Sequence, residues 1–176
     1  MNTNFTIRPA TKEDIPVIAN ILSDAAAYKF KQGDSLWGSQ PYSNEDVSEI
    51  LANGGLHVAI RDNVIVGSLI LADRDKRIWQ DDGNDNFVYI HQLATSSKTR
   101  GQDIGGLIIK WVEVKAKKDG KKAVRLDCSY TNLKLHNYYI RKGFKEVKRR
   151  DLPRKSTARD LSEPIYKAAL MQKDLI

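Results

Sequence analysis

Phe5, Ile7 and Pro9 alternate with Thr6 and Arg8, a period of two that predicts a short strand at the start of the chain. The period then lengthens. Ile15, Ile18, Leu22 and Ala25 mark one face of a helix beginning near Asp14, because Pro16 is tolerated only in a first turn and Asp14 is placed to cap it. Ser43 with Asp46 reads as a capping box ahead of Val47, Ile50 and Leu51, and Asn53-Gly54-Gly55 stops this second helix. Leu56 to Ile60 and Val64 to Ala72 are β-rich runs joined by Arg61-Asp62-Asn63, the arrangement of a hairpin with a tight polar turn. Strand character returns from Phe87 to Thr95. Ile104, Leu107, Ile108, Trp111 and Val112 then recur at helical spacing, a broad face for packing on a sheet, and that helix ends near Asp119-Gly120. Ala123 to Cys128 is a short strand, and Asn132 to Arg141 is a helix stopped by Gly143. Phe144 to Val147 and Pro164 to Met171 are closing strands. Strands mixed with helices imply an α/β or α+β sheet covered by helices, and the length suits a single domain over residues 1–176.

The stretch between the third and fourth strands changes this picture little. It carries Asp73, Asp75, Asp81, Asp82 and Asp85, but their spacing lacks the ligand order and terminal glutamate of an EF-hand, so it reads as a solvated turn. The first residues have no basic region followed by an apolar one, and Val64 to Ala72 is too short to span a bilayer, which predicts a cytoplasmic protein without a membrane partner. Cys128 is the only cysteine and three histidines show no ligand spacing, so neither a disulfide nor a metal centre is expected. The balance of 29 basic against 22 acidic residues, a formal charge of +7, favours a polyanionic partner such as a phosphorylated cofactor or a nucleic acid.

Candidate chemistry starts where Tyr89 to Thr95 runs into Ser96-Ser97-Lys98-Thr99-Arg100-Gly101-Gln102-Asp103-Ile104-Gly105-Gly106. A strand, a glycine-containing turn and a helix start in series leave unpaired amides that form an anion site, aided by the helix dipole and by Arg100. Neither a P-loop ending in Gly-Lys-Ser/Thr nor a G-x-G-x-x-G is present. Arg100 to Gly105 resembles the Q/R-x-x-G-x-G/A signature of the GNAT superfamily of N-acetyltransferases, with Asp103 at the intermediate glycine position. Asn132 to Phe144 is similar to that family's N-x-x-L-x-x-F/Y-Y-x-x-x-G-F stretch.

The resemblance implies a mixed, mostly antiparallel central sheet of about six to seven strands flanked by about four helices. It implies an enzyme that moves an acetyl group from acetyl-CoA, a cosubstrate, to a primary amine by direct attack, without an acyl-enzyme. Backbone groups of Leu93, Ala94 and Thr95 would hold the pantetheine arm. The turn of Arg100, Gly101, Gln102, Asp103, Ile104, Gly105 and Gly106 would hold the pyrophosphate, and Asn132 would bond the arm. Tyr139 would protonate the departing thiolate, and backbone N–H of a bulged fourth strand would stabilise the oxyanion.

A general base is also needed, and His91 on the strand leading to the cofactor is the most suitable titrating group, ahead of Glu45, Asp127 and His57. A carboxylate at Asp103 would repel phosphate by about 1 kcal/mol at a solvated 4 Å, so its side chain is expected to turn outward and leave only its backbone toward the cofactor. Cys128 reads as an inert buried thiol. Tyr28, Phe30, Trp37, Tyr42, Trp79 and the Arg154 to Arg159 loop fall where the family lines its acceptor side, but they name no specific acceptor. The expected partners are thus acyl-CoA and an amine acceptor, with a homodimer left open. Lys115, Lys117, Lys118, Lys121 and Lys122, with Lys145, Lys148, Arg149 and Arg150, keep a basic nucleic-acid-associated module as an alternative. Asp103 keeps a non-catalytic acyl-CoA sensor as another.

Overall fold

The computed structural model describes residues 4–81, 86–154 and 164–175. Seven strands make one sheet: β1 (Phe5–Pro9), β2 (Leu56–Arg61), β3 (Val64–Ala72), β4 (Phe87–Thr95), β5 (Ala123–Ser129), β6 (Lys145–Pro153) and β7 (Ile165–Asp174). Their order is β1-β2-β3-β4-β5-β7-β6, and every neighbouring pair is antiparallel except β4 and β5. The helices are α1 (Ile15–Lys31), α2 (Asn44–Ala52), α3 (Ile104–Lys118) and α4 (Leu133–Arg141). The chain is a mixed α/β fold, as the alternation of periods predicts. No helix among the described residues is long and apolar enough to cross a membrane.

Several local expectations are met for the reasons given. Ser43 and Asp46 form a reciprocal capping box at α2. Asp62 and Asn63 both take left-handed backbone angles between paired Arg61 and Val64, so the hairpin turns in two residues with the twist that antiparallel strands prefer. Pro16 lies in the first turn of α1, but Asp14 does not cap that helix. A 3-10 turn at Lys12–Asp14 precedes it, and the Asp14 carboxylate is drawn back to the Thr11 amide at 2.8 Å and to Arg8 at 2.7 Å. The buried face of α3 is also rotated from the predicted one. Ile104, Ile108, Ile109, Val112 and Ala116 are buried, while Leu107 is exposed.

The charged stretch after β3 is not a solvated turn. Asp75 Oδ1 accepts from the Arg77 and Ile78 amides at 3.0 and 2.8 Å, folding the segment so that Ile78 and Trp79 pack beneath Tyr89, Tyr166 and Leu170. Asp81 receives Arg125 at 3.0 Å. Apolar Ile78 and Trp79 drive this burial, and the aspartates supply the turn caps and ion pair it requires. Asp82 and Asp85 lie outside the described residues. β6 extends six residues beyond the predicted Val147, because an edge strand needs only backbone pairing with β7 and leaves its charged side chains in water.

Candidate active site

The parallel pair β4 and β5 is joined through α3 and holds register only from Phe87↔Ala123 to Ile90↔Leu126. Beyond Ile90 the strands part. One cause lies in β4 itself: between His91↔Ile70 and Ala94↔Ser68 two residues of β4 face one of β3, and Gln92 takes φ of 47°. This bulge turns the strand away from β5 and leaves its far edge without a ladder partner. A cleft of about 760 Å³ opens there, lined from both faces of the sheet. His91, Leu93, Ala94, Thr95, Arg100, Gly101, Asp103, Ile104, Gly105, Asn132 and Tyr139 all line it. Gln102 and Gly106 belong to the same turn, but their side positions face elsewhere: the Gln102 side chain accepts from Arg61 on β2.

The turn at one end of this cleft has a defined form. Ser97–Thr99 make one 3-10 turn, Gly101 takes φ of 82°, and Asp103 takes φ of 51°. The position where the family signature carries glycine therefore needs a left-handed backbone, which aspartate tolerates better than most residues. The Leu107 amide donates to the Asp103 carbonyl at 3.2 Å, so the Ile104 and Gly105 amides have no intrahelical acceptor, while the Gly106 amide meets the Asp103 carboxylate. The Asp103 carboxylate is directed to α4, where Tyr138 Oη donates at 3.0 Å and Lys142 pairs with it. Burial would raise this carboxyl, but the Lys142 and Tyr138 contacts outweigh it and hold Asp103 below the ordinary carboxylate range. Methyl groups on Gly105 or Gly106 would run into this clip, since added Cβ atoms would lie 2.7 Å from Tyr138 Oη and 2.6 Å from Lys142 Nζ. Arg100 lies over the Tyr28 ring, 4.4 Å from its centroid.

Tyr139 reaches the cleft from α4. Its ring packs on Phe144 and Tyr138, and burial, with Cys128, Tyr138 and Asp127 adding smaller effects, raises its hydroxyl well above the ordinary tyrosine value. It therefore holds its proton at neutral pH. Asn132 caps α4, its Oδ1 accepting from the Leu135 amide at 3.1 Å while its Nδ2 donates to Asp34 at 2.9 Å. Cys128 is buried and its thiol is pushed up to about 12, mainly by that burial.

On the opposite wall, the His91 ring stacks nearly parallel to Tyr89, with Asp127 Oδ1 3.9 Å from its Nδ1 and Asp75 Oδ2 3.8 Å from its Nε2. Asp127 is raised by burial and accepts from Tyr166 Oη at 2.5 Å. The other base candidates lie outside the cleft lining. Glu45 is exposed in the first turn of α2, and His57 sits by Trp111 with its Nδ1 2.7 Å from the Gly55 carbonyl. Of the aromatic residues expected on the acceptor side, Tyr28 and Trp37 line the cleft. Phe30 is exposed, Tyr42 is in the α1–α2 core and Trp79 is under Arg125. Arg154 donates to the Ser35 and Leu36 carbonyls, and residues 155–159 of that loop lie outside the described residues. Asp75, Arg77, Ile78, Leu36 and Tyr166 complete the surroundings of His91, and no local motif marks them. Only the cap Asp75 makes to Arg77 and Ile78 has a sequence signal, an aspartate followed within three residues by an apolar pair.

The strands, turn and helices that form this cleft fall largely within the part of the chain that matches a known family. The sequence model of the Acetyltransferase (GNAT) family matches residues 19–144. The chain belongs to this acetyltransferase family. A relative, the N-acetyltransferase YesJ of Bacillus subtilis (strain 168), itself uncharacterized, is 29% identical over 147 residues, covering 80% of this chain and 81% of that protein. The GNAT acetyltransferase structure from Listeria monocytogenes 4b F2365 superposes with a TM-score of 0.71 at 20% identity over 99% of this chain and all of that one. The yncA structure from Salmonella typhimurium, solved with acetyl-CoA, gives 0.69 at 16% identity over 98% of this chain and 95% of that one. At such identities the two structures speak for the GNAT fold.

Proposed function

We propose that this GNAT family member is an N-acetyltransferase that moves an acetyl group from acetyl-CoA to the primary amine of a small molecule. The observation that carries the reading is the cleft at the parting of β4 and β5, which holds Tyr139 on one wall and His91 on the other and ends at the amides of the Arg100 to Gly106 turn. The residues fit the cofactor. The Ile104 and Gly105 amides at the start of α3, with Arg100, suit its phosphates, and the unpaired edge of β4 at Leu93, Ala94 and Thr95 suits an amide-bearing arm. Asn132 lines the same cleft, where it would bond the arm. Asp103 contributes backbone only, because its carboxylate is engaged by Tyr138 and Lys142.

Acetyl-CoA supplies a thioester carbonyl, at which attack by the neutral amine forms an amide and releases the thiol. His91 takes the proton from the amine, backbone N–H of the bulged β4 donates to the carbonyl oxygen, and Tyr139 gives its proton to sulfur. Cys128 takes no part, since its raised thiol is a poor nucleophile at neutral pH.

Thermal unfolding with and without acetyl-CoA tests cofactor binding. At 100 times its dissociation constant the ligand adds roughly 2.7 kcal/mol, a rise in Tm of about 5–10 °C for a chain of this size. No shift at millimolar acetyl-CoA would overturn the reading. Thiol release over a panel of amines, amino acids and polyamines then identifies the acceptor, and binding without release from any of them would leave an acyl-CoA sensor.

A further inference from the structure

Asp75 stands apart among the buried polar groups. It is 7% exposed, and its Oδ1 is fully used in holding the Arg77 and Ile78 amides. Its Oδ2 is buried with no hydrogen-bond partner and lies 3.8 Å from His91 Nε2. An unpaired carboxylate oxygen removed from water costs free energy unless a cation or donor meets it in some state of the protein. The neutral imidazole has one N–H, whereas imidazolium has two. Asp127 Oδ1 waits at the other ring nitrogen, 3.9 Å away. Both separations exceed a hydrogen bond and fall within ion-pair reach, and stacking on Tyr89 fixes the plane in which the ring meets both.

We infer that Asp75 is a positioning residue for His91, bracketing the ring together with Asp127 so that the imidazolium is held after it has taken the acceptor's proton. The inference rests on His91 being the base. The charged and titratable groups around the ring are Asp75 and Arg77 from the segment after β3, Tyr89 from β4, Asp127 from β5 and Tyr166 from β7. Lys29 of α1, paired with Asp34 at 2.6 Å, lies across the cleft. Tyr166 donates to Asp127 Oδ2, which leaves Oδ1 free for the ring. Asp75, His91 and Asp127 also have the donor types of a metal site. One atom from each lies within 4.8 Å of the others, so a cation is a competing occupant that the experiment has to separate from a doubly protonated ring. The nearest approaches of the two carboxylates are to opposite nitrogens of the ring, the placement an imidazolium with two N–H groups calls for.

Asp75→Asn keeps an oxygen for the Arg77 and Ile78 amides and removes the charge, and Asp75→Ser offers a second route to the same change. Imidazole NMR follows the protonation of His57, His91 and His136 separately, with His91→Ala assigning the signal. An opposite charge within 4–6 Å favours the charged form, so its loss is expected to move the His91 midpoint to lower pH. The rising limb of kcat/KM, measured on the amine found by thiol release, falls with it, while His57 and His136 stay in place. An unmoved His91 midpoint in both folded variants overturns the inference and leaves Asp75 as a loop cap. A midpoint that moves while the rate limb stays removes His91 as the base, and the inference falls with that reading even though acetyl-CoA binding survives. Zinc or manganese ions at micromolar concentration that perturb His91 in the parent protein but not in Asp75→Asn would reassign the three residues to a cation site.

Discussion

Tyr139 and Asp103 show how burial and partner decide what a single side chain can do. Tyr139 is raised chiefly by burial, so it arrives at the reaction protonated. Tyr139→Phe keeps the ring packing on Phe144 and removes the proton, so kcat falls by about 100-fold or more with little change in KM for acetyl-CoA. Steady-state rates within a few-fold of the parent would take Tyr139 out of the chemistry. Asp103 is held below its unfolded value, so its pairing stabilises the fold above about pH 4 and that contribution is lost as pH falls through the lower folded value. Asp103→Asn is therefore less stable near neutrality, by at most about 1 kcal/mol because the pair is half exposed, and the gap closes in acid urea titrations. At this scale the motifs pointed to Tyr139 and the turn, and strand position to His91, and all of them line the one cleft. Asp75 and Tyr166 were not legible, because they meet His91 only through pairing of β3 with β4 and of β5 with β7, and no local pattern encodes that distance.

The turn before α3 owes its glycines to two different constraints, which substitution separates. Gly101 has open space around it but takes φ of 82°, so Gly101→Ala costs about 1 kcal/mol through the backbone alone. Gly106 is an ordinary helical residue under the Asp103–Lys142 clip. In Gly106→Ala the end of Lys142 can move aside, but Asp103 Cγ, 2.7 Å from the added Cβ, must shift as well, so the helix-propensity gain of about 1 kcal/mol offsets only part of the lost pair. Urea unfolding is expected to place both variants below the parent near neutrality, with only the Gly106→Ala deficit shrinking in acid, where the Asp103 pairing is already lost. Elements with their own caps, such as α2 and the β2–β3 hairpin, were legible because their signals are local. The segment from Asp73 to Asp81 was not. Its charges signalled solvent, yet two apolar residues, Ile78 and Trp79, fold it onto the sheet. The bulge at Gln92 had no local sequence signal, since a glutamine in a left-handed conformation is set by the strands on either side. Only the likeness to the family announced a bulged fourth strand.

Across the whole molecule, the cleft at the β4–β5 junction is lined from both faces of the sheet, and Cys128, 2% exposed, belongs both to its wall and to the packed core. With its thiol pushed up to about 12 by burial, Cys128 is expected to react slowly with aromatic disulfide reagents at pH 8 in the folded protein and promptly in urea. Fast labelling of the native protein would show that the reagent reaches Cys128 through the cleft it lines. The parting of β4 and β5 makes a slit through the sheet, walled by Tyr139 and Ile104 on one side and by His91, Asp127 and Tyr166 on the other. Two reagents that enter such a slit from opposite faces meet in its middle without displacing each other. Initial-rate plots against one substrate at several levels of the other are therefore predicted to intersect. Parallel lines, the mark of a carrier loaded and emptied in turn, would mean that the two faces are not used together.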